Sequence, residues 1–219
     1  MNVVSSYNHL VDLLKYSFQY EELDNNNSRV AGLLFARPDS FTQDEILSGI
    51  DYFNNRSGKT IDFFCIGYQP DFFDPKSPVM ATVDGNNWAF NSKIFNDLRK
   101  QTEERTTWKY SGSVELVLFN SYFDTKTDSV KLDFSEALSI DLKKAKDSKL
   151  ITSVGEVFEK IFAISENITT DNPTQEMSLK LIGDTGKKSF INILFNLLPT
   201  AIQDDAKKIY LFGTSNYDK

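Results

Sequence analysis

Histidine and cysteine are nearly missing from this chain. Among 219 residues there is one of each, His9 and Cys65, which excludes a Cys/His zinc site, a CxxC redox pair, an intramolecular disulfide and iron–sulfur ligation. A serine nucleophile finds no partner base either: His9 lies in an N-terminal helical pattern, and no GxSxG is present. No apolar stretch approaches the ~20 residues of a membrane-spanning helix. The opening Met-Asn-Val-Val-Ser-Ser-Tyr lacks the basic residues and apolar core of a secretory leader. The expectation is a cytoplasmic protein with no membrane partner. A basic surplus is also missing. Against 31 acids stand 24 bases, a net charge of −7, and clustered cations are what displace counterions from a phosphate backbone, so nucleic acid is not an expected partner. The one lysine run, Lys143, Lys144, Lys146 and Lys149, is flanked by Asp141 and broken by Asp147, and reads as a solvated face.

What is present is a hydrophobic fraction of 40% with 18 Phe, 9 Tyr and 2 Trp. A chain of this size buries roughly 70% of its unfolded surface on folding, so it needs neither metal nor cross-link. Tyr7, Leu10, Val11, Leu14 and Phe18 follow Ser6 at helical spacing. Val30 to Phe35 is a short apolar run, the pattern of a strand covered on both faces. Thr42 and Glu45 have capping-box spacing, with Phe41 and Ile46 as a hydrophobic staple, and predict the next helix. Ile61 to Tyr68 reads as a second strand. After Pro70, Pro75 and Pro78, Val79 to Val83 and Trp88 to Phe90 flank Asp84-Gly85, a hairpin inserted in a long connection. A helix follows from about Ser92 to Arg105, then strands at Val114 to Phe119 and Val130 to Phe134. Ser153 and Glu156 form a second capping box opening another helix. Asn172-Pro173-Thr174-Gln175 and Gly183 bound one further helix, Lys187 to Leu198 carries another, and Ile209 to Phe212 suits a final edge strand.

These readings predict a single α/β domain: a mixed four- to five-stranded sheet flanked by helices. An N-terminal helix lies in 1–28, the sheet core with an inserted hairpin at 69–91 in 29–168, and a helical extension in 169–219. From Val30 to Ile164 the order strand, helix, strand, hairpin, helix, strand, strand, helix resembles the thioredoxin-like topology. The resemblance is one of element order. Pro38 to Phe41 stands where that family has CxxC, and no proline directly precedes the third strand at Ser111-Gly112-Ser113, so the resemblance implies no thiol–disulfide chemistry.

A strand–helix–strand unit makes the first two strands parallel, and open α/β sheets bind ligands at the carboxyl ends of such strands. Arg37, Asp39, Tyr68 and Gln69 fall there. Arg37 suits a small anion; the alternative is an Arg37–Asp39 pair that only orders the turn. Two glycine–lysine stretches, Arg56 to Thr60 and Gly183 to Ser189, lack a glycine five residues before Gly-Lys and the strand-to-helix context of a phosphate loop. Pro70-Asp71 and Asp74-Pro75-Lys76 are spaced too tightly for a metal-dependent nuclease centre and read as a solvated loop. Cys65 reads as a small core residue. Trp88, Trp108 and Tyr110 stand in polar surroundings and form a candidate protein-contact surface, the alternative being rings that cover a sheet edge. No cofactor and no metal are implied. The expected function is a non-catalytic cytosolic binding or accessory module acting by protein association or ligand sequestration. Composition suited to a low-GC bacterial genome extends this to a conflict, immunity or antiphage role. The competing class is an enzyme or sensor for a small anionic, nucleotide-like ligand at the Arg37 edge.

Overall fold

The computed structural model describes residues 3–20, 28–57, 61–73, 77–166, 200 and 207–209. Five strands make a mixed sheet: β1 (Ser28–Phe35), β2 (Ile61–Cys65), β6 (Glu115–Asp124), β7 (Ser129–Asp141) and β8 (Lys207–Ile209), in the order β2-β1-β6-β7-β8. β1 and β2 run parallel, with Val30 opposite Ile61 and Leu34 opposite Cys65. The remaining neighbours are antiparallel, Phe35 of β1 facing Glu115 of β6. Side chains alternate across a strand, so one apolar run serves two cores. Val30, Leu34, Phe63, Cys65, Leu116 and Leu118 lie in one buried cluster, and Ala31, Leu33, Phe35, Phe64, Val117 and Phe119 in the other. Each large buried side chain contributes about 1.5–3 kcal/mol relative to exposure.

The first cluster is covered by α3 (Ile50–Arg56) and α6 (Val154–Glu166), with Phe53 stacked on Phe158 at 4.6 Å between ring centroids. The second is covered by α1 (Tyr7–Tyr20) and α4 (Ser92–Arg105) through Leu10, Leu14, Phe95 and Leu98. Under α1 the sheet carries a buried ion pair. Arg29 Nε lies 3.2 Å from Asp62 Oδ2, the two side chains 3% and 0% exposed. Ser17 Oγ donates to Asp62 Oδ1, and Arg29 Nη1 donates to the Ser17 carbonyl.

The element order of the thioredoxin-like analogy is present, but several boundaries differ from expectation. The helix after β1 is α2 (Ser40–Glu45), capped by Asp39 rather than by Thr42. Glu45 does not close a capping box; it bonds Lys146 on α5 (Leu142–Asp147) and accepts from the Val154 amide. The lysine run is partly paired, with Lys143 near Asp39. β6 and β7 run longer than their apolar segments, because polar Asn120 and Ser121 are buried within the sheet and Ser121 Oγ donates to the Arg29 carbonyl. β8 shares only Ile209 with the edge strand expected at Ile209 to Phe212, whose other residues lie outside the described residues. The predicted helices at 172–198 lie outside the described residues.

Ile61 to Tyr68 is not one strand. β2 stops at Cys65, Gly67 turns at φ +86°, and β3 (Tyr68–Pro70) starts a second sheet, in the order β3-β5-β4, with β4 (Val79–Val83) and β5 (Asn86–Phe90). A Cβ on Gly67 would sit 2.8 Å from the Phe90 ring and 2.9 Å from Phe95 Cβ, so glycine is required by space as well as by φ. The β4–β5 turn, Asp84-Gly85, has positive φ at both positions as a type I′ hairpin needs. α3 clasps it: Asp51 Oδ1 accepts from the Asp84 amide.

Candidate functional site

At the carboxyl end of β1 the chain leaves the sheet through Ala36, Arg37 and Pro38. Asp39 Oδ1 then accepts from the Thr42 amide at 2.7 Å and fixes the entry of α2. Arg37 is exposed. Its Nη2 donates to Asn96 Oδ1 at 3.1 Å, and its guanidinium carbon stands 5.1 Å from the centre of the Phe95 ring. Among the described residues it has no carboxylate partner. The Arg37–Asp39 pair is not formed; Asp39 instead lies 3.6 Å from Lys143 Nζ. Burial pushes the Asp39 carboxyl up, but the Thr42 cap and Lys143 together hold it below its ordinary value.

Behind Arg37 lies a continuous group of rings. Tyr68 meets Phe90 at 5.1 Å, Phe90 meets Phe95 at 5.6 Å, and Phe95 meets Tyr110 edge-on at 5.5 Å. Tyr68 is fully buried, aimed there by the Gly67 turn, whose carbonyl accepts from the Asn91 amide. The hydroxyls of Tyr68 and Tyr110 are buried without a hydrogen-bond partner among the described residues. Burial raises both phenol pKa values, that of Tyr110 to about 12, where Arg37 pulls down and Glu115 and Asp39 push up. Asp39 and Tyr110 also act on Tyr68. The edge therefore presents an exposed guanidinium, which suits an anion, in front of two neutral phenols whose hydroxyls are buried.

Arg37, Asp39 and Tyr68 are thus brought together, though Tyr68 arrives on β3 of the second sheet rather than on β2. Gln69, buried next to it, faces away by strand alternation and joins none of these contacts. Tyr110, expected as a protein-contact residue, packs at this edge against Phe95 and is half-buried. Its loop leads into β6, the antiparallel neighbour of β1, so it must arrive beside the carboxyl end of β1. Two carboxylates pin that loop. Glu103 Oε1 accepts from the Tyr110 amide, while buried Glu115 accepts from Trp108 Nε1 at 2.7 Å and from the Ser111 amide at 2.7 Å.

Trp88 and Trp108 are each 5% exposed, so neither ring offers a face to a partner. Trp88 fills the core beneath the second sheet, and Trp108 packs on Phe35 at 4.6 Å. The exposed aromatics are others, Tyr16, Tyr52 and Tyr122 and, most exposed, Phe72 and Phe73, each 64% exposed with ring centres 4.4 Å apart. The signal of that last pair in the sequence was two consecutive phenylalanines inside the proline- and aspartate-rich loop. His9 stays on α1, its Nδ1 accepting from the Ser5 amide. The Asp71 to Lys76 segment and the Arg56 to Thr60 stretch are described only in part, and Gly183 to Ser189 lies outside the described residues; Arg56 belongs to α3 and lies 3.8 Å from Glu159. Among the described residues no group of three or more His, Cys, Asp or Glu is placed to hold a metal ion, and no helix is long and apolar enough to cross a membrane. No family model matches this chain, and no curated protein or solved structure matches it.

Proposed function

We propose that this protein is a non-catalytic cytosolic binding module that sequesters a small anionic ligand at the carboxyl edge of β1. The observation that carries the reading is Arg37: an exposed guanidinium, seated on Phe95, with no carboxylate partner among the described residues. Among those residues its one hydrogen-bond acceptor is Asn96, which leaves the outer side of its fork for an oxyanion. An arginine kept as a surface charge alone has no need of an aromatic seat and an asparagine brace. A second reading, association with a protein partner, is favoured by the adjacent and exposed pair Phe72 and Phe73, ring centres 4.4 Å apart.

One experiment separates the two. Thermal stability is measured against a panel of small phosphates and carboxylates for wild type, Arg37→Ala and Phe72→Asp; a ligand at a hundred times its dissociation constant raises the stability by about 2.7 kcal/mol. The ligand reading expects the shift to vanish in Arg37→Ala, with the unliganded stability nearly unchanged, and to persist in Phe72→Asp. No shift for any anion in wild type, or an equal shift in Arg37→Ala, rules it out. The protein reading expects wild type to associate reversibly with itself or a partner in sedimentation, and Phe72→Asp to abolish this.

A further inference from the structure

Phe72 and Phe73 are the only exposed phenylalanines among the described residues. They sit on a short 3-10 turn, Asp71–Phe73, that continues β3. β3 pairs antiparallel with β5, Pro70 opposite Trp88, so this turn runs on beside Asn87 and Asn86 toward the Asp84-Gly85 hairpin turn. The two rings therefore stand at the same end of the second sheet as that hairpin turn. The charges described at this end have one sign. Asp71 directly precedes the rings, Asp84 occupies the hairpin turn, and Asp51 of α3 accepts from the Asp84 amide. None of these three carboxylates has an ion-pair partner among the described residues. Asn86 and Asn87, both exposed, are neutral. In the sequence Asp74 follows the rings as a further acid, and Lys76 is the one base between Pro70 and Lys76.

Resting on the protein-contact reading of this pair, we infer that its partner is a basic protein surface: an apolar pocket that takes the two rings, rimmed by lysine or arginine. Aromatic rings are enriched at the centres of protein contacts, where they bury much area with few rotatable bonds. Charge then decides which surface they meet. A second copy of this chain brings the same three carboxylates and a net charge of −7, so a symmetric contact through this end sets like charges against each other. An anionic bilayer is disfavoured for the same reason. Only a pocket with cations around it gains from the rings and from the carboxylates together.

The test uses the full chain and three probes: an amphipathic leucine/lysine peptide, its leucine/glutamate analogue of the same pattern, and phosphatidylserine vesicles. Binding is measured for wild type, for Phe72→Ser with Phe73→Ser, and for Asp71→Asn with Asp84→Asn, asparagine being a residue that tolerates the positive φ of Asp84. Urea unfolding of each variant and sedimentation of the wild type run alongside. Expected is binding of the leucine/lysine peptide alone, weakened roughly tenfold or more by the phenylalanine change and roughly threefold by the aspartate change, with a smaller salt dependence in the latter. Both variants should unfold at the same urea as wild type. If wild type dimerises, or binds the leucine/glutamate peptide as tightly, and the phenylalanine change abolishes this, the basic partner is wrong while the protein contact stands. If the leucine/lysine peptide does not bind, or binds the phenylalanine variant as it binds wild type, both fail. Vesicle binding that depends on the two rings assigns them to a membrane, and both fail again. A phenylalanine variant that unfolds at lower urea shows that the rings serve the fold, which overturns the inference on that ground alone.

Discussion

Arg29 and Asp62 put opposite charges into a largely apolar face of the sheet. Neither charge is tolerable alone at 3% and 0% exposure, since the desolvation of an isolated buried ion exceeds what folding stability can offset. Together, with Ser17 answering both, they tie α1 to β1 and β2 at the end of the sheet opposite the Arg37 edge. Removing one partner is therefore far worse than removing both. Asp62→Ala should cost about 3–5 kcal/mol in urea unfolding, and the double change Arg29→Met with Asp62→Leu should restore most of it. A single variant that unfolds within about 0.5 kcal/mol of wild type would show that the pair is hydrated and worth no more than a surface bridge.

Capping shows where element-scale reasoning worked and where it stopped. Ser153 and Glu156 do open α6: Ser153 Oγ accepts from the Glu156 amide, and Glu156 Oε2 accepts from the amide and hydroxyl of Thr152, one residue before the expected donor. Thr42 and Glu45 have the same spacing, but Asp39 takes the cap. A carboxylate three residues ahead of the Thr42 amide competes for it, and Glu45 is drawn off by Lys146, 101 residues away in sequence, a tertiary partner that spacing does not reveal. The half-buried Glu156 carboxylate is held down to about 2, chiefly by the Lys160 ammonium and then by the Thr152 amide. A depressed folded-state value means that its stabilisation is present above the ordinary value of 4.5 and is lost as pH falls toward 2. Glu156→Gln should thus be less stable than wild type at neutral pH by a small, salt-screened margin, and the gap should close between pH 4.5 and 2. Parallel urea titrations at pH 7 and pH 2 measure it, and a gap of equal size at both would mean that packing, not charge, is lost.

For the whole molecule, the sheet and its two covering layers were legible because both faces are apolar. Val30 to Phe35 reads as a strand from the sequence and is one, while Ile61 to Tyr68 reads as one strand but holds only as far as Cys65. The Arg37 edge was half legible: parallel pairing placed Arg37 and Asp39, but the arrival of Tyr110 depends on β6 pairing with β1, and the isolation of Trp108 depends on Glu115, seven residues away in sequence and buried. Local polarity around Trp108 looked like solvent and was its hydrogen-bonding shell.

Cys65 offers a probe of this global architecture. It lies on β2, the edge strand of the larger sheet, yet it is fully buried in the cluster shared with α3, α6 and the second sheet. Burial pushes its thiol up to about 12, so at neutral pH the folded protein presents neither access nor thiolate. Labelling must then wait for opening, and its rate should follow the unfolded fraction, roughly 10⁻³ or less for a domain of ordinary stability. Expected is labelling at least about a thousandfold slower than a free thiol at the same pH, rising with urea in step with unfolding followed by circular dichroism. Asp62→Ala should label faster by the factor its loss of stability predicts. Labelling that runs ahead of the spectroscopic transition would mean that β2 detaches locally, with the second sheet and Tyr68 free to move independently of the core.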